Sequence, residues 1–209
     1  VIKLNANGNI EWEKTYGGAP NEPAGGIVEG DNGCIIIGAS TKSYGKGNYD
    51  TWYLRLSSLG ELEYELREGD TENDIIEGVF KNNEGDFLFY GYTDHRAPEL
   101  YKGILLEVDK GFGLNIGAAI NAGGDQIIRA IWQAPDNGYI AVVETRAFSP
   151  YSTSIVVAKF DYRMWSIEWQ KCISGNGNTY GKVTIAGGNQ SFIIGGSTRA
   201  YGAGDYDFF

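Results

Sequence analysis

The chain repeats itself every 52 residues, and that period constrains its fold more than any single residue does. The short segments Val1-Ile2-Lys3-Leu4, Tyr53-Leu54-Arg55-Leu56, Leu105-Leu106-Glu107-Val108 and Val157-Ala158-Lys159-Phe160 recur at this spacing without a slip. Thr41, Thr93, Thr145 and Thr198 keep the same step apart from one inserted residue. The bulky series Trp12, Tyr64, Ile116 and Trp169 places that insertion between Phe160 and Trp169. Four units and the insertion account for all 209 residues. The final Gly204-Asp205-Tyr206-Asp207-Phe208-Phe209 matches Gly47-Asn48-Tyr49-Asp50-Thr51-Trp52, so the residue expected after Phe209 is the equivalent of Tyr53, which is Val1.

Each unit reads as four short strands. Gly26-Ile27-Val28-Glu29 leads through Asp31-Asn32-Gly33 to the apolar run Cys34-Ile35-Ile36-Ile37, and residues that tolerate positive φ between two such runs signal a hairpin. Asp136-Asn137-Gly138 repeats the signal. A glycine-rich loop, Ser40 to Gly47, precedes a third strand over Tyr49 to Leu56, and Glu61 to Leu66 alternates with the period of a half-buried fourth strand. No segment of helical length carries a 3.6-residue apolar period. Four antiparallel strands in about 50 residues, repeated, predict an all-β fold: a β-propeller of four-stranded antiparallel blades, whose radial arrangement protects sheet edges. A β-solenoid is the alternative, with coils that are usually shorter and parallel. The expected blades span residues 22–68, 74–120, 126–173 and 179–209 plus 1–16, one domain over 1–209.

Composition narrows the partners. With 42% apolar and 13% aromatic residues the chain has material for a packed core, and 31 glycines against 5 prolines suit a fold rich in tight turns. A formal charge of −10 repels phosphate backbones and anionic membranes, which argues against nucleic acid as a partner. No apolar run is long enough to predict a membrane span. The start lacks Met, a charged n-region and an apolar h-region, so the chain reads as a mature or excised segment. Cys34 and Cys172 fall at different repeat positions, far apart in the blade scheme, and are expected as small buried hydrophobes rather than a disulfide.

The stretch Leu4-Asn5-Ala6-Asn7-Gly8-Asn9-Ile10-Glu11-Trp12-Glu13-Lys14-Thr15-Tyr16-Gly17-Gly18, the hairpin at Asp31-Asn32-Gly33 and the loop ending Gly47-Asn48-Tyr49-Asp50 together resemble the β-propeller repeats of secreted and cell-surface proteins in bacteria and archaea. The resemblance covers the chain. It is strongest in the first unit and from Gly195 to Phe209, and weakest over Tyr92 to Leu100 and Glu144 to Thr153. It implies an extracellular or cell-surface location and leaves activity open. The Leu4 to Trp12 phrase is also similar to quinoprotein-type propeller repeats, without the Thr that typically precedes the glycine there.

Several residues are candidates for a site. Repeat register puts Gly25, Glu77, Arg129 and Lys182 at one level of the innermost strands, where they read either as a polar ligand-binding ring or as charges that neutralise one another in a wet channel. Thr41, Thr93, Thr145 and Thr198 are expected to bond loop backbone at strand ends. Asp50 and Asp207 follow glycine-rich loops. Calcium there is permitted, although no EF-hand spacing accompanies them, and capping of backbone amides is the preferred reading; no other cofactor is expected. Tyr44, Tyr49, Tyr201 and Tyr206 are candidate loop contacts for a glycan or a protein surface. The sole histidine, His95, lacks an identifiable triad, and ligands for a His/Cys metal site are too few.

These features favour a non-catalytic surface propeller that serves adhesion, surface structure or protein and glycan recognition. A glycosidase-like, carbohydrate-processing enzyme with paired carboxylates is the alternative among 27 acidic residues. The in-phase ends fit a closed monomeric ring whose shared strand runs from Tyr206–Phe209 into Val1–Leu4. A longer array cut twice at equivalent points, or two chains that join to make eight blades, would give the same phase; monomer or dimer is left open.

Overall fold

A computed structural model describes residues 1–94, 101–120, 124–148, 152–163, 166–188 and 191–209. It is all-β, and its strands assemble repeat by repeat. Strands β1 (Ile2–Leu4) and β2 (Ile10–Glu13) form a two-stranded sheet. The first four-stranded sheet follows in chain order: β3 (Ala24–Glu29), β4 (Ile35–Thr41), β5 (Asp50–Leu56) and β6 (Leu62–Glu68). The second contains β7 (Asp74–Lys81), β8 (Phe87–Thr93), β9 (Lys102–Val108) and β10 (Leu114–Ile120). The third contains β11 (Gln126–Gln133), β12 (Tyr139–Thr145), β13 (Ser154–Phe160) and β14 (Ile167–Ile173). The fourth has three strands, β15 (Thr179–Ala186), β16 (Phe192–Thr198) and β17 (Asp207–Phe208). Pairing is antiparallel throughout these sheets, as short turns require.

Turn chemistry sets the hairpins. Asn32 and Asn137 take φ of 57° and 66°, the left-handed region that Asn enters at low cost, and Gly30 N–H donates to the Cys34 carbonyl to close the first turn. Three of the four threonines end their strands in a common way, while the Thr93 side chain bonds the Asp74 carboxyl. Thr41 Oγ1 accepts from the N–H groups of Ser43 and Tyr44, Thr145 Oγ1 from Ala147 and Thr198 Oγ1 from Ala200, so each hydroxyl turns the chain out of its sheet.

The sheets stack in sequence through their apolar faces. Cys34, Ile36 and Tyr53 of the first sheet pack against Ile76, Phe87, Phe89 and Phe112 of the second. Leu88 and Leu105 of the second pack against Ile128, Ile131 and Tyr139 of the third. A backbone bond staples each junction: Asp74 N–H donates to the Tyr49 carbonyl, Gln126 N–H to Tyr101 and Thr179 N–H to Thr153, all between 2.7 and 2.8 Å. The β1–β2 pair seats on the first sheet, where Trp12 Nε1 donates to the Ser58 carbonyl at 3.1 Å and the Tyr16 hydroxyl to that of Gly60 at 2.6 Å.

One expectation meets a different arrangement here. The strand expected to run from Tyr206–Phe209 into Val1–Leu4 is divided between two sheets: β17 pairs with β16, and β1 pairs only with β2. The physical reason is that β1–β2 is held by the first sheet, whereas β17 belongs to the fourth, with the second and third sheets stacked between them. Both cysteines are free, Cys34 in the core of the first sheet and Cys172 on β14.

Candidate polar site on the innermost strands

The four residues expected at one level share a local geometry. The first strand of each of the four larger sheets carries a β-bulge, between Ala24 and Gly26, Ile76 and Gly78, Ile128 and Ala130, and Gly181 and Val183. The residue displaced at each bulge is Gly25, Glu77, Arg129 or Lys182. A bulge takes one residue out of the ladder and re-aims its side chain, so four equivalent bulges present these positions alike. Gly25 fits because the second sheet comes close: a Cβ there would meet the Ile76 carbonyl oxygen at 2.1 Å.

Arg129 is the centre of the charges. Its Nη1 lies 2.7 Å from Glu77 Oε1 and its Nε donates to Glu144 Oε2 at 2.9 Å. Glu144, on β12, is the partner that repeat register does not reveal, because the equivalent residues are Ser40, Tyr92 and Ser197. Burial pushes the Glu144 carboxyl up from its ordinary range, against the pull of the Arg129 and Lys182 charges. Burial pulls the Arg129 guanidinium down, and the charges and hydrogen bonds of Glu144 and Glu77 outweigh it, leaving the group above its usual value. Lys182 is exposed and joins through its longer-range attraction to Glu144.

Beside this cluster lies a cavity of about 130 Å³, walled by Tyr101, Asp125, Arg129, Glu144, Arg146 and Tyr180. Arg146 Nη1 reaches Asp125 Oδ2 at 3.6 Å. Glu144 Oε1 is buried at this wall and has no hydrogen-bond partner among the described residues. An unpaired buried acceptor costs about 1–3 kcal/mol, so a donor supplied there is worth a comparable amount.

The other candidates do not gather at this site. Asp50 Oδ2 accepts from the N–H groups of Lys46 and Gly47 at 3.1 and 3.2 Å, and Asp207 Oδ2 from Ala203 at 3.1 Å. Both carboxylates therefore close their own glycine loops. Tyr44 stacks edge-on with Trp52 at 6.0 Å, and Arg67 lies 4.7 Å above the Tyr44 ring. Tyr49 receives Lys42 at 5.5 Å, and Tyr206 receives Arg199 at 4.9 Å. The Tyr201 hydroxyl donates to the Ser174 carbonyl. These tyrosines sit on equivalent loops of the first and fourth sheets, partly engaged within the chain. His95 lies outside the described residues.

Comparison with protein-family models finds no match, and neither does comparison with curated proteins. Among solved structures, the chain is similar to the crystal structure of a protein of unknown function from Bacteroides caccae, with a TM-score of 0.58 at 11% identity. The match covers 92% of this chain and 61% of that one. At that identity the likeness concerns the fold alone.

Proposed function

We propose that the chain is a non-catalytic recognition module of an extracellular or cell surface, built as β-propeller blades, and that it binds a hydroxyl-rich ligand such as a glycan at the Arg129–Glu144 cavity. Support for the radial arrangement comes from the regular stacking of each sheet on the next innermost strand and from the four equivalent bulges. The surface location rests on the resemblance of the repeats. The observation that carries the binding reading is the buried, unpartnered Glu144 Oε1 beside the Arg129 guanidinium and two tyrosines. An acceptor, fixed donors and aromatic edges at one small cavity are what a sugar's hydroxyls and apolar face require.

A hydrolytic role has less support at this cluster. Glu77 and Glu144 both bind Arg129, so a guanidinium fills the space between them that a scissile bond and water would need. A glycan array followed by calorimetry on wild type and Glu144→Ala tests the proposal. Binding that weakens about tenfold or more in the variant is expected. No glycan bound at millimolar concentration, or a bound glycan indifferent to Glu144→Ala, overturns it.

A further inference from the structure

The third repeat departs from the other three at positions that meet in one place. A tyrosine stands eight residues beyond the strand-ending threonine in the first, second and fourth repeats, as Tyr49, Tyr101 and Tyr206, and the third has Thr153 there. Glu144 likewise stands where the others have Ser40, Tyr92 and Ser197. Thr153 and Glu144 both wall the cavity of about 130 Å³. The backbone of Thr153 is held as that of Tyr101 is: Tyr101 N–H donates to Asp125 Oδ1 at 3.1 Å, and Thr153 N–H to Asn178 Oδ1 at 2.9 Å. The difference is therefore confined to the side chain, and the shorter threonine leaves open space that a tyrosine ring at this position would enter.

The same exchange of side chains releases a cation. The residue after each threonine is Lys42, Asp94, Arg146 or Arg199. Lys42 and Arg199 lie 5.5 and 4.9 Å from the ring centres of Tyr49 and Tyr206, the tyrosines of their own repeats. Arg146 has Thr153 in place of such a ring. Its Nη1 stands 3.6 Å from Asp125 Oδ2, beyond hydrogen-bond reach, and its side chain is 62% exposed. Among the described residues the cavity thus combines a buried acceptor, Glu144 Oε1, with a guanidinium whose donors are open to a ligand. The charges around it cancel, since Glu77, Glu144 and Asp125 face Arg129, Arg146 and Lys182.

We propose that the cavity is a subsite for one uncharged, terminal pyranose, which enters where the other repeats place a tyrosine ring; the inference rests on the glycan reading and fixes the class of sugar. One ring hydroxyl donates to Glu144 Oε1 and its neighbour accepts from the Arg146 guanidinium, while the apolar face of the sugar meets Tyr101 of the second sheet or Tyr180 of the fourth. Balanced charges give neither a carboxylate nor an ammonium an advantage, and an acidic sugar would also face Glu144 and Asp125. A volume of about 130 Å³ lies below the roughly 300 Å³ at which pockets for drug-sized ligands begin, so one ring enters and the rest of the glycan stays outside. Thr153 is then the residue that makes room for the sugar, and Arg146 the one that selects its hydroxyl pair.

NMR titration with the methyl glycosides of glucose, galactose and mannose, up to millimolar concentration, should show at least one of them bound, with glucuronic acid and glucosamine about tenfold weaker. Thr153→Tyr restores the ring that the other repeats carry and should abolish binding with far-UV circular dichroism unchanged, whereas Thr153→Ser should bind as wild type does. Arg146→Met alters an exposed side chain, should weaken binding about tenfold, and decides the matter should Thr153→Tyr fail to fold. A glycan that binds through Glu144 but is indifferent to Thr153→Tyr or to Arg146→Met overturns the subsite and leaves the glycan reading standing. A preference for the charged sugars does the same, as does a longer glycan that binds when none of the three methyl glycosides does. No glycan bound at millimolar concentration overturns both.

Discussion

At the scale of residues, the Arg129 cluster is a balance that single substitutions should upset in a defined direction. Arg129→Met leaves Glu144 buried without its closest cation and is expected to cost about 3 kcal/mol in urea unfolding. The double variant Arg129→Met/Glu144→Gln should recover part of that loss, which a double-mutant cycle reads directly. Glu144 also sets a pH dependence. Its folded pKa is raised, so the folded state holds the proton more tightly than the unfolded state. Its contribution is therefore full below the unfolded carboxylate value and falls as pH rises through the folded one, and Glu144→Gln should flatten that part of the stability curve. The loop carboxylates give a graded comparison. Asp50 is buried and holds two amides, whereas Asp207 is half-exposed and holds one, so Asp50→Ala should cost about 1–3 kcal/mol and Asp207→Ala clearly less. Repeat phase made the level of Gly25, Glu77, Arg129 and Lys182 legible, because a bulge recurs wherever the strand does. Glu144 was not legible, since a strand sequence does not state which charge on a neighbouring strand lies across from it.

At the scale of elements, hairpins and strand alternation were readable because their causes are local. Asn32 and Asn137 mark turns through the φ they accept, and the Thr hydroxyls mark where strands end. What the elements pack against was less readable, since β5 and β13 are sealed on both faces while β6 and β14, whose alternation suggests one buried face, stay largely exposed. Equivalent side chains should therefore differ in energy according to their neighbours. Leu88→Ala should cost about 2–5 kcal/mol through lost burial and the cavity it leaves. Ile193→Ala, at the same repeat position but open to solvent, should cost the single chain well under 1 kcal/mol in the same denaturation experiment.

At the scale of the whole molecule, the sheets form a linear series in which each contacts its neighbours, so stability is approximately a sum of sheet and junction terms. The fourth sheet, with one junction and three strands, should show faster amide exchange than the three four-stranded sheets, which hydrogen exchange read by mass spectrometry checks. The period announced the repeated sheets, but how each sheet seats on the next lies in tertiary packing that no single repeat encodes. The staple between sheets has a further consequence. Since the same backbone bond recurs at each junction between the described four- and three-stranded sheets, the seating of one sheet on the next is set by main-chain amides and carbonyls rather than by side chains alone. Order thus passes along the series through the main chain, and a side-chain substitution at a junction can change its apolar contacts without releasing the bond that ties the two sheets together.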